Sequence, residues 1–93
     1  MNENVKEIKL KISDSELKGQ FANQVAIMHS KNEFVIDFIT MFPPEAIVNS
    51  RIITTPIAFK KFYTAFGINL KKYEDQFGVI EDDENSNING KIN

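Results

Sequence analysis

Few side chains in this sequence are able to do chemistry, and their spacing speaks for pairing rather than catalysis. His29 is the only histidine among the 93 residues, and it stands at the end of an apolar run, just before the turn residues Ser30, Lys31 and Asn32. A histidine base needs a nucleophile or an acid in hydrogen-bond reach, and neither a Ser-His-Asp order nor a metal-ligand spacing accompanies it. A structural or solvent-facing role is therefore expected for it. Asp37 interrupts the apolar stretch Phe34-Val35-Ile36-Asp37-Phe38-Ile39, where a carboxylate is costly to bury alone. Arg51, on the next extended segment, is placed to pair with it across a hairpin. The reading is an ion pair, structural or at an interface, with ligand contact and catalysis as the weaker alternatives. Lys60, Lys61, Lys71 and Lys72 share one side of a helix, because an offset of eleven residues returns to nearly the same direction. They read as a solvated face, partly offset by Glu74 and Asp75; a weak phosphate-binding patch is the sharper alternative. No Gly-rich phosphate loop, paired-carboxylate motif or zinc signature is present. Without cysteine, disulfides, thiolate metal sites and cysteine nucleophiles are excluded. The expectation is a protein that is not an enzyme and takes no cofactor.

The elements that must position these residues follow from periodicity. Residues 33–42 form the central strand: they are rich in β-branched and aromatic side chains and are closed by Pro43-Pro44, which cannot continue a ladder. Phe34, Ile36, Phe38 and Phe42 point one way, and Val35, Ile39 and Met41 the other, so both faces want cover. Residues 5–12 alternate, with Ile8, Leu10 and Ile12 against Glu7, Lys9 and Lys11, which predicts a half-buried edge strand. Residues 13–20 read as a loop with room for a short helical turn. Residues 21–29 form the next strand, joined to the central one through a turn of about four residues that lacks Asn-Gly or Asp-Gly. Residues 46–54 form the last strand, and simple alternation places Ile47 with Ile53 on one face and Val48 with Ile52 on the other.

Thr55-Pro56 is the clearest local signal. Threonine is a good N-cap, and proline at the first helical position gives up only an amide that had no partner. A helix over Pro56–Phe77 is predicted, with Phe59, Phe62, Tyr63, Phe66, Leu70, Tyr73 and Phe77 at offsets of three and four. This aromatic stripe is expected to lid one face of the sheet, each ring burying about 150–250 Å². Gly78 is placed as a left-handed C-terminal cap. Gly67 interrupts the helix at about 0.5–1 kcal/mol relative to alanine. On the outer side of the helix, Ile57 and Ile68 are a modest hint of a partner contact.

Length and charge set the bounds. A chain of 93 residues makes one domain, burying roughly 60–65% of its unfolded surface. The expected organisation is a disordered residues 1–4, a single α+β domain over 5–80 and a disordered acidic, Asn-rich tail over 81–93. Ten of the eleven Lys and Arg residues and nine of the thirteen Asp and Glu fall in residues 1–80. The body is thus near-neutral, which argues against nucleic acid as a partner. With no basic apolar leader and no run of about 20 apolar residues, neither a membrane nor export is expected, and the cytoplasm is the expected compartment.

Several of these residues together resemble a known family. Phe21-Ala22-Asn23, His29-Ser30 before the run from Glu33 to Phe38, Ser50-Arg51-Ile52-Ile53, Thr55-Pro56, Lys72-Tyr73-Glu74 and Phe77-Gly78 are similar to the small bacterial and archaeal proteins grouped as domain of unknown function 3467. A proline commonly follows the serine of the hairpin turn in that pattern; Lys31 stands there in this chain. The resemblance implies a compact strand-rich domain with a C-terminal helix, and implies no activity. The architecture also resembles that of the SecB export chaperone, with four antiparallel strands followed by helix.

The fold class expected is α+β: a meander-like four-stranded antiparallel sheet with one long C-terminal helix on one face. Its spare face would be covered by a second copy, so a homodimer with a protein-binding or assembly role is the leading expectation. Val35, Asp37, Ile39, Met41, Arg51, Ile57 and Ile68 are the candidate interface. The alternatives are SecB-like capture of unfolded chains and weak nucleic-acid binding through Lys60, Lys61, Lys71 and Lys72.

Overall fold

Residues 7–82 are described by a computed structural model. A short 3-10 turn at Asp14–Glu16 precedes three strands, β1 (Gln24–His29), β2 (Phe34–Phe42) and β3 (Glu45–Thr54), and one helix, α1 (Pro56–Phe77). The strands form an antiparallel sheet in the order β1-β2-β3. The apolar run expected at the centre is indeed the central strand.

Two hairpins set the register. His29 pairs with Phe34 across a four-residue loop, which the Ser30 amide closes by donating to the Glu33 carbonyl at 2.9 Å. Phe42 pairs with Glu45, leaving Pro43-Pro44, joined by a cis bond, as the whole of the second turn. α1 begins and ends where the sequence places it. Thr55 Oγ1 accepts from the Ala58 amide at 3.1 Å, and the Gly78 amide donates to the Glu74 carbonyl at 2.8 Å. Gly78 is not a left-handed cap: at φ +99° and ψ 162° it lies in an extended positive-φ region that is essentially glycine's alone.

The sheet has three strands among the described residues, not four. Residues 7–12 are free of regular structure, and their apolar row stands out into solvent, with Ile8 90% and Leu10 98% exposed. Alternation makes a sequence competent to be a strand, but a ladder also needs an edge beside it, and the chain brings none to this segment. Residues 5 and 6 of the expected strand, residues 1–4 and residues 83–93 of the expected tail lie outside the described residues.

Alternation also fails within β3. Phe38 pairs with Ser50 and Ile39 with Val48, so Asn49 is the extra residue of a β-bulge. The bulge exchanges the faces of the residues before it. Ile47 therefore shares a face with Ile52, and Val48 shares one with Ile53.

α1 does not close over the sheet. Its first aromatic lies on β2, the Phe59 and Phe34 rings stacking at 4.0 Å between centroids, but from there the helix stands off. Phe66, Leu70, Tyr73 and Phe77 remain exposed, so the stripe is a lid at its N-terminal end alone. Ile36 and Ile39 are the only buried hydrophobic residues among those described.

Candidate functional site

The sheet has two faces of different character. The first carries Val25 and Ile27 of β1, Ile36 and Phe38 of β2 and Ile52 of β3, and it faces α1. Between this floor and Phe59, Phe62, Tyr63 and Phe66 lies an open groove of about 500 Å³ with an almost wholly apolar lining. α1 leaves directly from the end of β3 through Thr55, and its first turns, with Phe59 stacked on Phe34, lie nearest the sheet. Nothing in the described chain pulls its later turns down.

The second face carries the ion pair. Asp37 sits opposite Ala26 on one side and Arg51 on the other. Arg51 Nε donates to Asp37 Oδ1 at 2.7 Å and Nη2 to Oδ2 at 2.8 Å, a bidentate arrangement of the strong kind. The two hydrogen bonds hold the Asp37 carboxyl below the ordinary carboxylate value, against burial, which pushes it up. The carboxylate in turn raises Arg51. The Arg51 side chain remains 56% exposed over a carboxylate that is almost covered, so the pair presents guanidinium outward. Its placement in the sheet is the one the residue spacing predicts.

The other expected interface residues are distributed unevenly. Ile39 is buried at 3% and belongs to the core of the single chain. Val35 and Met41 are half-buried. Ile57 and Ile68 are exposed on the outer side of α1, where with Lys60, Lys61, Thr64 and Ala65 they edge a shallow hollow of about 460 Å³. The lysines thus border an apolar surface. Lys71 is drawn to Asp75 at 3.1 Å one turn on, which lowers its use as an anion contact. His29 lies against the Phe34 ring at 5.4 Å and has no side-chain hydrogen bond among the described residues.

A polar clasp beside the bulge has no counterpart in the sequence reading. Asn23 holds Met41 from both sides: its Oδ1 accepts from the Met41 amide at 2.8 Å and its Nδ2 donates to the Met41 carbonyl at 3.1 Å. The Phe21 carbonyl accepts from Thr40 Oγ1 at 2.7 Å and from Asn49 Nδ2, while the Phe21 and Phe42 rings stack at 6.4 Å. The Asn23 amide still donates to the Ile39 carbonyl at 2.9 Å, but regular pairing begins at Gln24, and at Phe21 side chains take the place of the ladder that the expected strand would have made. Asparagine within a β-branched strand was the available signal, since its side chain competes for backbone groups.

Among the described residues no cluster of three or more His, Cys, Asp or Glu is placed to hold a metal ion. Nor is any helix there long and apolar enough to cross a membrane. The described residues thus form a small α+β domain with an apolar groove between sheet and helix. The chain belongs to the family described as protein of unknown function (DUF3467), whose model matches residues 1–82. No curated protein and no solved structure matches it. The likeness to SecB rested on four strands, and the described sheet has three.

Proposed function

We propose that this chain is a non-catalytic, cytoplasmic self-assembly and protein-binding domain whose working form is a homodimer. One observation carries the reading: of the large hydrophobic side chains described, two are buried, while 22 are well exposed. A single copy therefore covers few of the apolar side chains whose burial has to oppose the conformational entropy of folding. A folded single copy needs further burial, and a second copy of the same surface is the simplest source. The engagement of both Asp37 carboxylate oxygens by Arg51 supports a structural rather than a chemical use of that carboxylate.

Sedimentation equilibrium from low to high micromolar concentration tests this. A dimer is expected, with a thermal midpoint that rises with protein concentration because association stabilises the folded state. A stably folded monomer at high micromolar concentration would falsify the reading.

The groove favours a second reading, capture of unfolded chains. Its apolar lining suits an extended hydrophobic segment of another protein, and suppression of the aggregation of a denatured client is the expected activity. A client that aggregates as fast with the protein as without it removes this reading and leaves self-assembly standing. Nucleic-acid binding has less support, because Lys71 is engaged with Asp75 and Ile57 and Ile68 dilute the lysine face; any such affinity would fall steeply with salt.

A further inference from the structure

Two features of the chain are unfinished, and each has what the other lacks. The first is the segment over residues 7–12. Its apolar row Ile8, Leu10 and Ile12 alternates with Glu7, Lys9 and Lys11, a strand pattern, yet no hydrogen bond joins it to another described residue, and even Ile12 is 60% exposed. The second is the outer edge of β3. That strand runs for ten residues, Glu45–Thr54, and is bonded on one side only, to β2. It holds neither lysine nor proline, and Ala46, Ile47 and Val48 at one end and Ile52 and Ile53 near the other give it two apolar stretches. The Asn49 bulge and Arg51 interrupt the edge near its middle, but on either side of them its row of free amides and carbonyls templates pairing with another chain.

We infer that residues 7–12 of one copy add to the β3 edge of a second copy, reciprocally, so that the dimer is strand-exchanged and each sheet gains its fourth strand from the partner. This rests on the self-assembly reading and deepens it by naming the segment and the edge that meet. In its own copy the segment is exposed and unpaired, which leaves it available to the edge of another molecule. β1 offers a shorter edge of six residues, and its Val25 amide is already met by Gln24 Oε1 at 3.1 Å. In the register that sets Ile8, Leu10 and Ile12 on the Ile52 face, Glu7, Lys9 and Lys11 fall on the face that carries Arg51. A given strand and a received edge involve about a dozen residues of each copy, against roughly 20–30 a side in a standard interface. The groove-lining rings Phe62, Tyr63 and Phe66 supply further contacts beside the added strand. The family model spans residues 1–82, so the segment belongs to the shared unit.

The test uses the full chain, whose lack of cysteine makes an introduced one unique. A nitroxide on Lys9→Cys protein is mixed with ¹⁵N-labelled unmodified protein at a concentration where sedimentation shows dimer. Broadening of the labelled copy's β3 amides, with amide-exchange protection of residues 8–12 that fades on dilution, is expected. Leu10→Pro, which removes an amide donor and an apolar contact, is expected to weaken dimerisation at least tenfold while the helical circular-dichroism signal of α1 persists. A dimer whose residues 8–12 exchange at unstructured rates and broaden nothing overturns the exchange and leaves self-assembly intact. Protection of residues 8–12 in a monomer overturns both.

Discussion

Asp37 and Arg51 face one another across the middle of β2 and β3 and share two hydrogen bonds of 2.7 and 2.8 Å. The carboxylate is buried and the guanidinium half in solvent, so each partner has a different consequence when removed. The Asp37 carboxyl titrates below its ordinary value in the folded chain. The stability the pair contributes is therefore fully present above the unfolded-state value of about 3.9 and is lost as pH falls through the lower folded value.

Acid unfolding followed by circular dichroism is accordingly expected to begin below about pH 4, with this pair contributing no pH dependence between about pH 5 and 8. Arg51→Gln should shift the acid transition to higher pH, because burial then raises Asp37 with no donor opposing it. At neutral pH that variant should be less stable than the double variant Asp37→Asn/Arg51→Gln, in which no charge is left uncompensated. Equal stability of the single and double variants would show that the pair is not coupled.

The bulge gives a second prediction. Asn49 donates to the Phe21 carbonyl and to Thr40 Oγ1, tying the chain ahead of β1 to β3. Asn49→Ala should destabilise by about 1–2 kcal/mol in urea titration, the range for leaving hydrogen-bonding groups short of a partner. Thr40→Val should be destabilising too, and the two losses should be less than additive because the side chains share one acceptor. Strict additivity would mean that they act separately.

What the sequence made legible divides by the range of the interaction. Thr55-Pro56 and Gly78 mark the helix ends because capping is settled within four residues, and the Ser30–Glu33 loop and the Pro43-Pro44 turn are equally local. The Asp37–Arg51 pair was legible because a lone carboxylate in an apolar strand demands a partner and one hairpin supplied it. Three features were not. The Asn49 bulge leaves the run Ala46 to Ile53 looking like an ordinary strand while reversing the faces of Ile47 and Val48. Residues 7–12 have a strand's pattern without a strand's neighbour. The stripe from Phe59 to Phe77 announces an apolar face, but whether a sheet of the same chain lies beneath it depends on where β3 releases the helix.

The two glycines at and within α1 should respond with opposite sign. Gly78 adopts φ +99°, so Gly78→Ala is expected to lower stability by about 1–3 kcal/mol. Gly67 is in the helix interior with nothing within 4 Å of where a Cβ would stand, and Gly67→Ala should raise stability by about 0.5–1 kcal/mol. Guanidinium unfolding of both variants at a concentration where the protein is dimeric measures this. A loss at Gly67 there would reveal a neighbour that only the assembled protein brings to it.

Phe66 separates burial within one copy from burial between copies. It lines the groove but is 67% exposed in the single chain, so Phe66→Asp removes little packing within one copy, as surface substitutions do. In a dimer that covers the groove, the same change buries a carboxylate without a partner. The dissociation constant from sedimentation should then rise by more than about tenfold, equivalent to 1.4 kcal/mol, with helix content unchanged. An unaltered dissociation constant would place the interface away from the groove, on the Arg51 face or the β3 edge alone, and would leave the aromatic stripe exposed in the assembled protein as well.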